Sequence, residues 1–84
     1  MRSYFITFRS VTFAQRGESV LRKGGIGCML QRTPRWMEEQ GCGYCLHIRK
    51  GDITAAVERL RQNQISFHKV YIQLPGGEVE EWQL

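Results

Sequence analysis

The 84-residue sequence predicts a small α+β domain. Some segments alternate apolar and polar residues, which is typical of strands, and two others carry apolar residues at helical spacing. Glycine, proline and asparagine separate these segments. The length favours a single domain, and a hydrophobic content of 42% argues against disorder. We place the domain at residues 1–75 and expect residues 76–84 to form a short acidic tail, either loose or docked on a partner.

The predicted elements alternate between strand and helix. In chain order they are a strand at 3–9, a helix from 11 to about 23, strands at 26–32 and 43–49, a helix from 53 to about 62, and a strand at 67–74. Ser10 and Asp52 are the expected N-caps of the helices, and Gly24-Gly25 ends the first helix. The order βαββαβ predicts a ferredoxin-like sandwich, an antiparallel four-stranded sheet with two helices on one face.

The sheet face opposite the helices is expected to be open. It carries the side chains of Phe5, Arg9, Gln31, Cys45, His47, Lys69 and Tyr71. Such a face usually meets a second copy, a partner protein or RNA, so a homodimer is a reasonable expectation. RNA-recognition modules stack bases on aromatic residues of their first and third strands. The third strand here offers Cys45, His47 and Arg49 instead, which argues against nucleic-acid binding.

Composition argues against a membrane protein. No apolar segment approaches the ~20 residues that span a bilayer, and the start of the chain lacks the apolar core of a signal peptide. We therefore expect a cytoplasmic protein with no membrane association. The formal net charge of +4 is a mild bias that favours an acidic partner or an anionic substrate.

Cys42 is the main candidate for a reactive residue. It lies at the exit of a predicted polar loop at 33–41, and the neighbouring Gly43 leaves room for a partner's atoms to approach the sulfur. Arg35 would favour the thiolate if the loop folds back. The alternative is a loop cysteine with no chemical role.

Cys45 completes a C-x-x-C motif with Cys42, a pattern found in redox pairs and zinc sites. In an extended strand the two Cα atoms would lie about 10 Å apart. A disulfide requires less than ~7 Å, so this pair could bond only if Gly43 turns the chain. A thiol–disulfide module using both cysteines is therefore one alternative function.

The residues that could ligate zinc are Cys28, Cys42, Cys45, His47 and His68. Structural zinc sites need four ligands in most cases, and Cys28 is expected to point toward the helices as a small core residue. His47 is either a polar strand residue or a group that tunes a thiolate on Cys45, and His68 is expected at the surface. We predict no metal site and no cofactor in this chain.

Three segments resemble a family of small bacterial proteins described as selenium or sulfur carrier-like. Residues 10–14 match a serine-led helix start after the first strand, Thr33-Pro34-Arg35 resembles the T-P-R after the second strand, and Cys42-Gly43 resembles the C-G that follows. The similarity covers roughly residues 3–49, together with the expected second helix and last strand.

The resemblance implies a carrier of zero-valent sulfur or selenium, and not a stand-alone enzyme. Cys42 would accept the atom, as a persulfide or selenosulfide, from a cysteine desulfurase or selenocysteine lyase-type donor and pass it to an acceptor protein. Thr33 and Arg35 would hold an anionic group near the sulfur or keep Cys42 ionised. Ser10 would add the dipole of its helix if the loop reaches it.

The sequence departs from the family pattern in two places. Residues 36–41 include Glu38 and Glu39 where the family commonly has small serines, and two carboxylates near a thiol oppose its ionisation. Cys45 stands where the family usually has a small apolar residue, so it is a candidate resolving thiol that would release sulfide from a Cys42 persulfide. A non-catalytic interaction domain that uses the open sheet face is the other alternative function.

Overall fold

The computed structural model describes residues 3–34, 43–48 and 53–82. Its elements are β1 (Ser3–Thr7), α1 (Val11–Lys23), β2 (Met29–Arg32), β3 (Tyr44–Ile48), α2 (Ile53–Gln62), β4 (Val70–Gln73) and β5 (Val79–Glu81). The α+β prediction is confirmed: within the described residues, two helices accompany an antiparallel five-stranded sheet in the order β2-β3-β1-β4-β5. The predicted number of four strands is wrong by one.

The fifth strand comes from the segment predicted to be an acidic tail. Gly77, with φ of +90°, lies in the five-residue connection, 74–78, that joins β4 to β5 in a hairpin. The Leu74 N–H donates to the Glu78 carbonyl at 2.7 Å and closes this hairpin. The Trp82 N–H donates to the Val70 carbonyl at 2.7 Å, and the indole packs on the core. Residues 79–81 of the predicted tail are therefore part of the sheet.

α1 begins and ends where the sequence predicts. Ser10 occupies the N-cap position with an extended backbone, although its side chain makes no capping hydrogen bond. After the helix, Gly25 adopts φ of +80°, and its N–H donates to the Arg22 carbonyl at 3.0 Å. The Ile26 N–H donates to the Leu21 carbonyl at 2.9 Å. These two bonds form a Schellman motif, in which glycine relieves the strain of the left-handed residue.

α2 ends in the same way with a different residue. Gln64 adopts φ of +58° and donates its N–H to the Arg61 carbonyl at 3.0 Å. The Ile65 N–H donates to the Leu60 carbonyl at 2.9 Å. A glutamine therefore occupies the left-handed position that α1 gives to glycine. Asp52, the expected N-cap of α2, lies outside the described residues.

The helices cover one face of the sheet. The core there contains Ile6, Phe8, Ala14, Leu21, Cys28, Leu46, Ile48, Ile53, Ala56, Val57, Leu60, Ile65 and Val70. Gly17 allows α1 to pack closely against the core side chains, because an added Cβ would lie 3.2 Å from Phe8 Cζ and 3.3 Å from Leu46 Cδ1. Arg59 of α2 donates from Nε to the Val20 carbonyl at 2.8 Å and joins the helices.

Neither described helix is long and apolar enough to cross a membrane.

The opposite face is less open than the sequence predicts. Phe5, Cys45 and Tyr71 form a second buried cluster, with exposed fractions of 7%, 0% and 9%, and Val79 packs against it. Arg9 lies beyond the end of β1. The central strand β1 is thus buried on both sides, which its alternating sequence did not reveal.

The C-terminal ends of α1 and α2 allow a matched test of backbone strain, because Gly25 and Gln64 both adopt positive φ. We expect Gln64→Gly to raise the free energy of unfolding by about 0.5–1 kcal/mol, because glycine adopts positive φ at little steric cost. Gly25→Gln should lower it by about 1 kcal/mol. No atom lies within 4 Å of a Cβ built at Gly25, so this cost comes from the backbone alone. Urea unfolding followed by circular dichroism measures both changes. A destabilised Gln64→Gly protein with normal helix content would contradict the interpretation.

Candidate functional site

One end of the sheet collects several residues predicted to form the site. The antiparallel register pairs Thr7 with Cys45 and Arg32 with Tyr44. The end of β1, the end of β2 and the start of β3 therefore lie together. α1 begins directly after β1, so its N-terminus belongs to the same end of the sheet. We call this region, which contains Ser10, Thr33 and Gly43, the Thr33–Gly43 end.

Thr33 and Gly43 are paired directly. The Thr33 N–H donates to the Gly43 carbonyl at 2.9 Å, which continues the β2–β3 ladder one step beyond Arg32 and Tyr44. Gly43 has φ of +84°, a conformation that favours glycine. The Arg32 guanidinium carbon lies 5.7 Å from the centroid of the Tyr44 ring, within range of a cation–π contact. The pairing fixes where the connection between β2 and β3 leaves and re-enters the sheet.

The described residues at the Thr33–Gly43 end include positively charged groups. The side chain of Ser10 does not cap α1, and no acidic residue lies in the first turn, so the amide groups there keep the positive end of the helix dipole. Arg9 precedes this helix, and its Nε donates to His68 Nδ1 at 3.2 Å. Arg32 adds a further exposed guanidinium. Sequence reasoning missed Arg9 and Arg32 as site residues, although Arg32 directly precedes Thr33.

The predicted residues Arg35 and Cys42 lie outside the described residues. Cys42 is bonded to Gly43 in the chain, and Arg35 follows Pro34. The structure thus brings Ser10, Thr33 and Gly43 to one end of the sheet and leaves the expected roles of Arg35 and Cys42 as predictions.

Comparison with known proteins identifies the family. Residues 3–72 match the family described as Putative Se/S carrier protein-like. The chain belongs to this family. The match confirms the resemblance seen in the sequence and extends from β1 to Ile72 in β4, so β5 lies beyond it. No curated protein and no solved structure matches the chain.

Cys45 of this Se/S carrier-like protein is fully buried. Its exposed fraction is 0%, and it packs with Phe5 and Tyr71 in the second cluster. The ring of His47 stacks on Phe5, with centroids 4.4 Å apart and an interplanar angle of 7°. A soluble donor cannot reach a thiol with no exposed surface.

Cys28 is a core residue, as predicted. It is 8% exposed and packs in the cluster under the helices. Burial raises the pKa of the Cys28 thiol above its ordinary value, and the Glu18 carboxylate raises it further, whereas Arg22 acts in the opposite direction. A protonated, buried thiol is a poor nucleophile.

The potential zinc ligands are distributed over both faces of the sheet. Cys28 belongs to the helix-side cluster and Cys45 to the second cluster. His68 is half-buried, and its Nδ1 accepts the hydrogen bond from Arg9. Within residues 3–34, 43–48 and 53–82, no group of three or more histidine, cysteine or acidic residues could hold a metal ion.

The burial of Cys28 and Cys45 predicts protection from alkylation. We expect N-ethylmaleimide, added to the native protein, to leave both residues unmodified on a timescale that labels an exposed thiol completely. Peptide mapping by mass spectrometry identifies the labelled positions, and the same reaction in guanidinium chloride is the control that should label all three cysteines. Rapid native labelling of Cys45 would contradict its burial in the second cluster.

Proposed function

We propose that this protein accepts a sulfur or selenium atom on Cys42 and passes it to an acceptor protein. The observation that carries the proposal is the family match over residues 3–72. The burial of the other two thiols supports Cys42 as the acceptor, because Cys28 and Cys45 are 8% and 0% exposed. A thiol that exchanges sulfur with a second protein must be accessible to it.

The charge of the Thr33–Gly43 end suits this chemistry. The N-terminus of α1, Arg9 and Arg32 supply positive potential, which favours a thiolate and the anionic persulfide that follows it. In this proposal Ser10, Thr33 and Arg35 bind the anionic group, and Gly43 leaves space beside the sulfur. The positive charge of this end also suits a donor with an acidic surface.

The transfer is a thiolate exchange in which one S–S bond forms and another breaks. The Cys42 thiolate attacks the terminal sulfur of a persulfide on the donor's cysteine and forms a new S–S bond. The donor's S–S bond breaks, and its cysteine leaves as a thiolate with the bonding pair. Cys42 then holds the terminal sulfur as a persulfide, and no external oxidant or reductant is consumed. An acceptor thiolate removes the atom by the same step, and a selenium atom would give a selenosulfide.

The two alternative functions have less support. A thiol–disulfide module, or a resolving role for Cys45, needs the Cys45 sulfur to react, and this residue has no exposed surface. An interaction domain that uses the face opposite the helices would have little aromatic surface to offer a partner, because Phe5 and Tyr71 are at most 9% exposed. Neither alternative explains the family match as directly as sulfur or selenium carriage does.

Mass spectrometry tests the acceptor residue. We expect the intact protein to gain sulfur, without reductant, after incubation with a cysteine desulfurase and cysteine, because the Cys42 thiolate attacks the enzyme's persulfide. Peptide mapping should place the sulfur on Cys42, and reductant should remove it. Cys42→Ser should abolish the adduct, whereas the control variants Cys28→Ala and Cys45→Ala should retain it. No adduct from sulfur or selenium donors, with Cys42 normally alkylated, would overturn the proposal.

A charge reversal tests the role of the Thr33–Gly43 end. We expect Arg32→Glu to slow sulfur loading about tenfold, because it removes positive potential where the donor approaches. Arg16→Glu is the matched control: Arg16 is an exposed residue of α1, and the substitution changes the net charge equally. Loading rates are measured by quenched mass spectrometry at low and high salt. Equal rates for the two variants would exclude a specific role for Arg32.

A further inference from the structure

The outer edge of β2 is bound by side chains of α1. β2 is the last strand on one side of the sheet, and an edge strand offers backbone groups to which another strand can add. Here the Leu30 N–H donates to Glu18 Oε2 at 3.0 Å. The Cys28 carbonyl accepts hydrogen bonds from Arg22 Nε at 3.2 Å and Arg22 Nη2 at 3.0 Å. Two of the backbone groups on this edge are therefore occupied.

These two groups are among those that an added strand would use. Every second residue of an edge strand directs its N–H and C=O away from the sheet, and Cys28 and Leu30 are two residues apart. Glu18 and Arg22 are four residues apart on α1, so their side chains meet, with 3.4 Å between Nη2 and Oε2. The carboxylate takes the place of a neighbouring strand's C=O, and the guanidinium takes the place of its N–H.

We propose that the Glu18–Arg22 pair closes the β2 edge to strand addition by a second copy of this chain. Removing the pair would free the Cys28 carbonyl and the Leu30 N–H for β2 of another molecule. Met29, on the same strand, is 53% exposed and would be buried by that pairing. The exposed Met29 side chain marks the surface that the added strand would bury. The Glu18–Arg22 pair is the interaction that blocks this strand addition.

The opposite edge of the sheet explains why β2 would pair with β2. β5 is three residues long and carries the exposed acidic residues Glu80 and Glu81. Glu81 is paired with Lys69 Nζ at 3.5 Å, and the negative charge of the exposed Glu80 opposes pairing with a second β5. Antiparallel pairing of β2 with itself is self-complementary about a two-fold axis and therefore stops at a dimer.

The test compares two double variants of α1 and α2 residues. Glu18→Ala/Arg22→Ala removes the pair, and Arg16→Ala/Glu58→Ala removes one exposed acid and one exposed base as a matched control. We expect sedimentation velocity to show a dimer dissociation constant at least about tenfold lower for the first variant than for the control or the wild type. Equal association of the folded variants would overturn the proposal, and so would growth beyond a dimer, which indicates head-to-tail pairing of β2 with β5.

A third substitution locates the new interface. Met29→Lys, added to Glu18→Ala/Arg22→Ala, should restore the association of the wild type, because a charge on the edge strand opposes strand addition. Dimers that persist in this triple variant would use another surface and would overturn the proposal. Sulfur loading of Cys42 is measured in parallel, so loss of the carrier function and loss of edge protection are separate results.

Hydrogen exchange keeps the proposal testable if the double variant does not fold. In Glu18→Ala, the Leu30 N–H should exchange about tenfold faster than in the wild type, because its hydrogen-bond acceptor is gone. Leu46, which pairs with Leu30 in register, should exchange at an unchanged rate. An unchanged Leu30 rate would mean that Glu18 does not protect the edge.

Discussion

The rest of the structure depends on the register of β1, the strand that is buried on both of its faces. Ile6 packs against the helix side, while Phe5 and Thr7 lie on the other side. Thr7 Oγ1 accepts the Lys69 N–H at 3.0 Å, which satisfies a buried hydroxyl and joins β1 to the segment before β4. A slip of one residue would exchange the two faces of β1, so Ile6 would face the second cluster and Phe5 and Thr7 would face the helices. The register of β1 therefore determines where the ends of β2 and β3 lie.

The sequence predicted the positions of the helices more accurately than the burial of the sheet side chains. Helical spacing located α1 and α2, and the cap residues Ser10 and Gly25 marked both ends of α1. β5 was missed because its apolar residues are few and acidic residues separate them, so charge obscured a short alternating segment. The second cluster was missed for another reason: alternation in β1 shows that Phe5 and Thr7 share a face, but it does not show how deeply that face is buried.

The candidate site was predictable where it depends on local sequence. Ser10 follows from helix capping and Gly43 from its position beside a cysteine, and the pairing of Gly43 with Thr33 agrees with a hairpin between β2 and β3. The contact of Arg9 with His68 joins residues 59 positions apart in the chain. Contacts of this kind depend on strand register, which spacing alone does not determine. The inaccessibility of Cys45 also required the sheet, since its neighbours Phe5 and Tyr71 come from other strands.

The hydrogen bond between Thr33 and Gly43 allows the segment between these residues to change without changing the fold. It closes the β2–β3 ladder before the connection begins, so insertions between these two residues leave the register of the sheet intact. Doubling the length of such a loop costs only about 0.6 kcal/mol of closure entropy. The length and composition of this segment can therefore change while the scaffold keeps its stability.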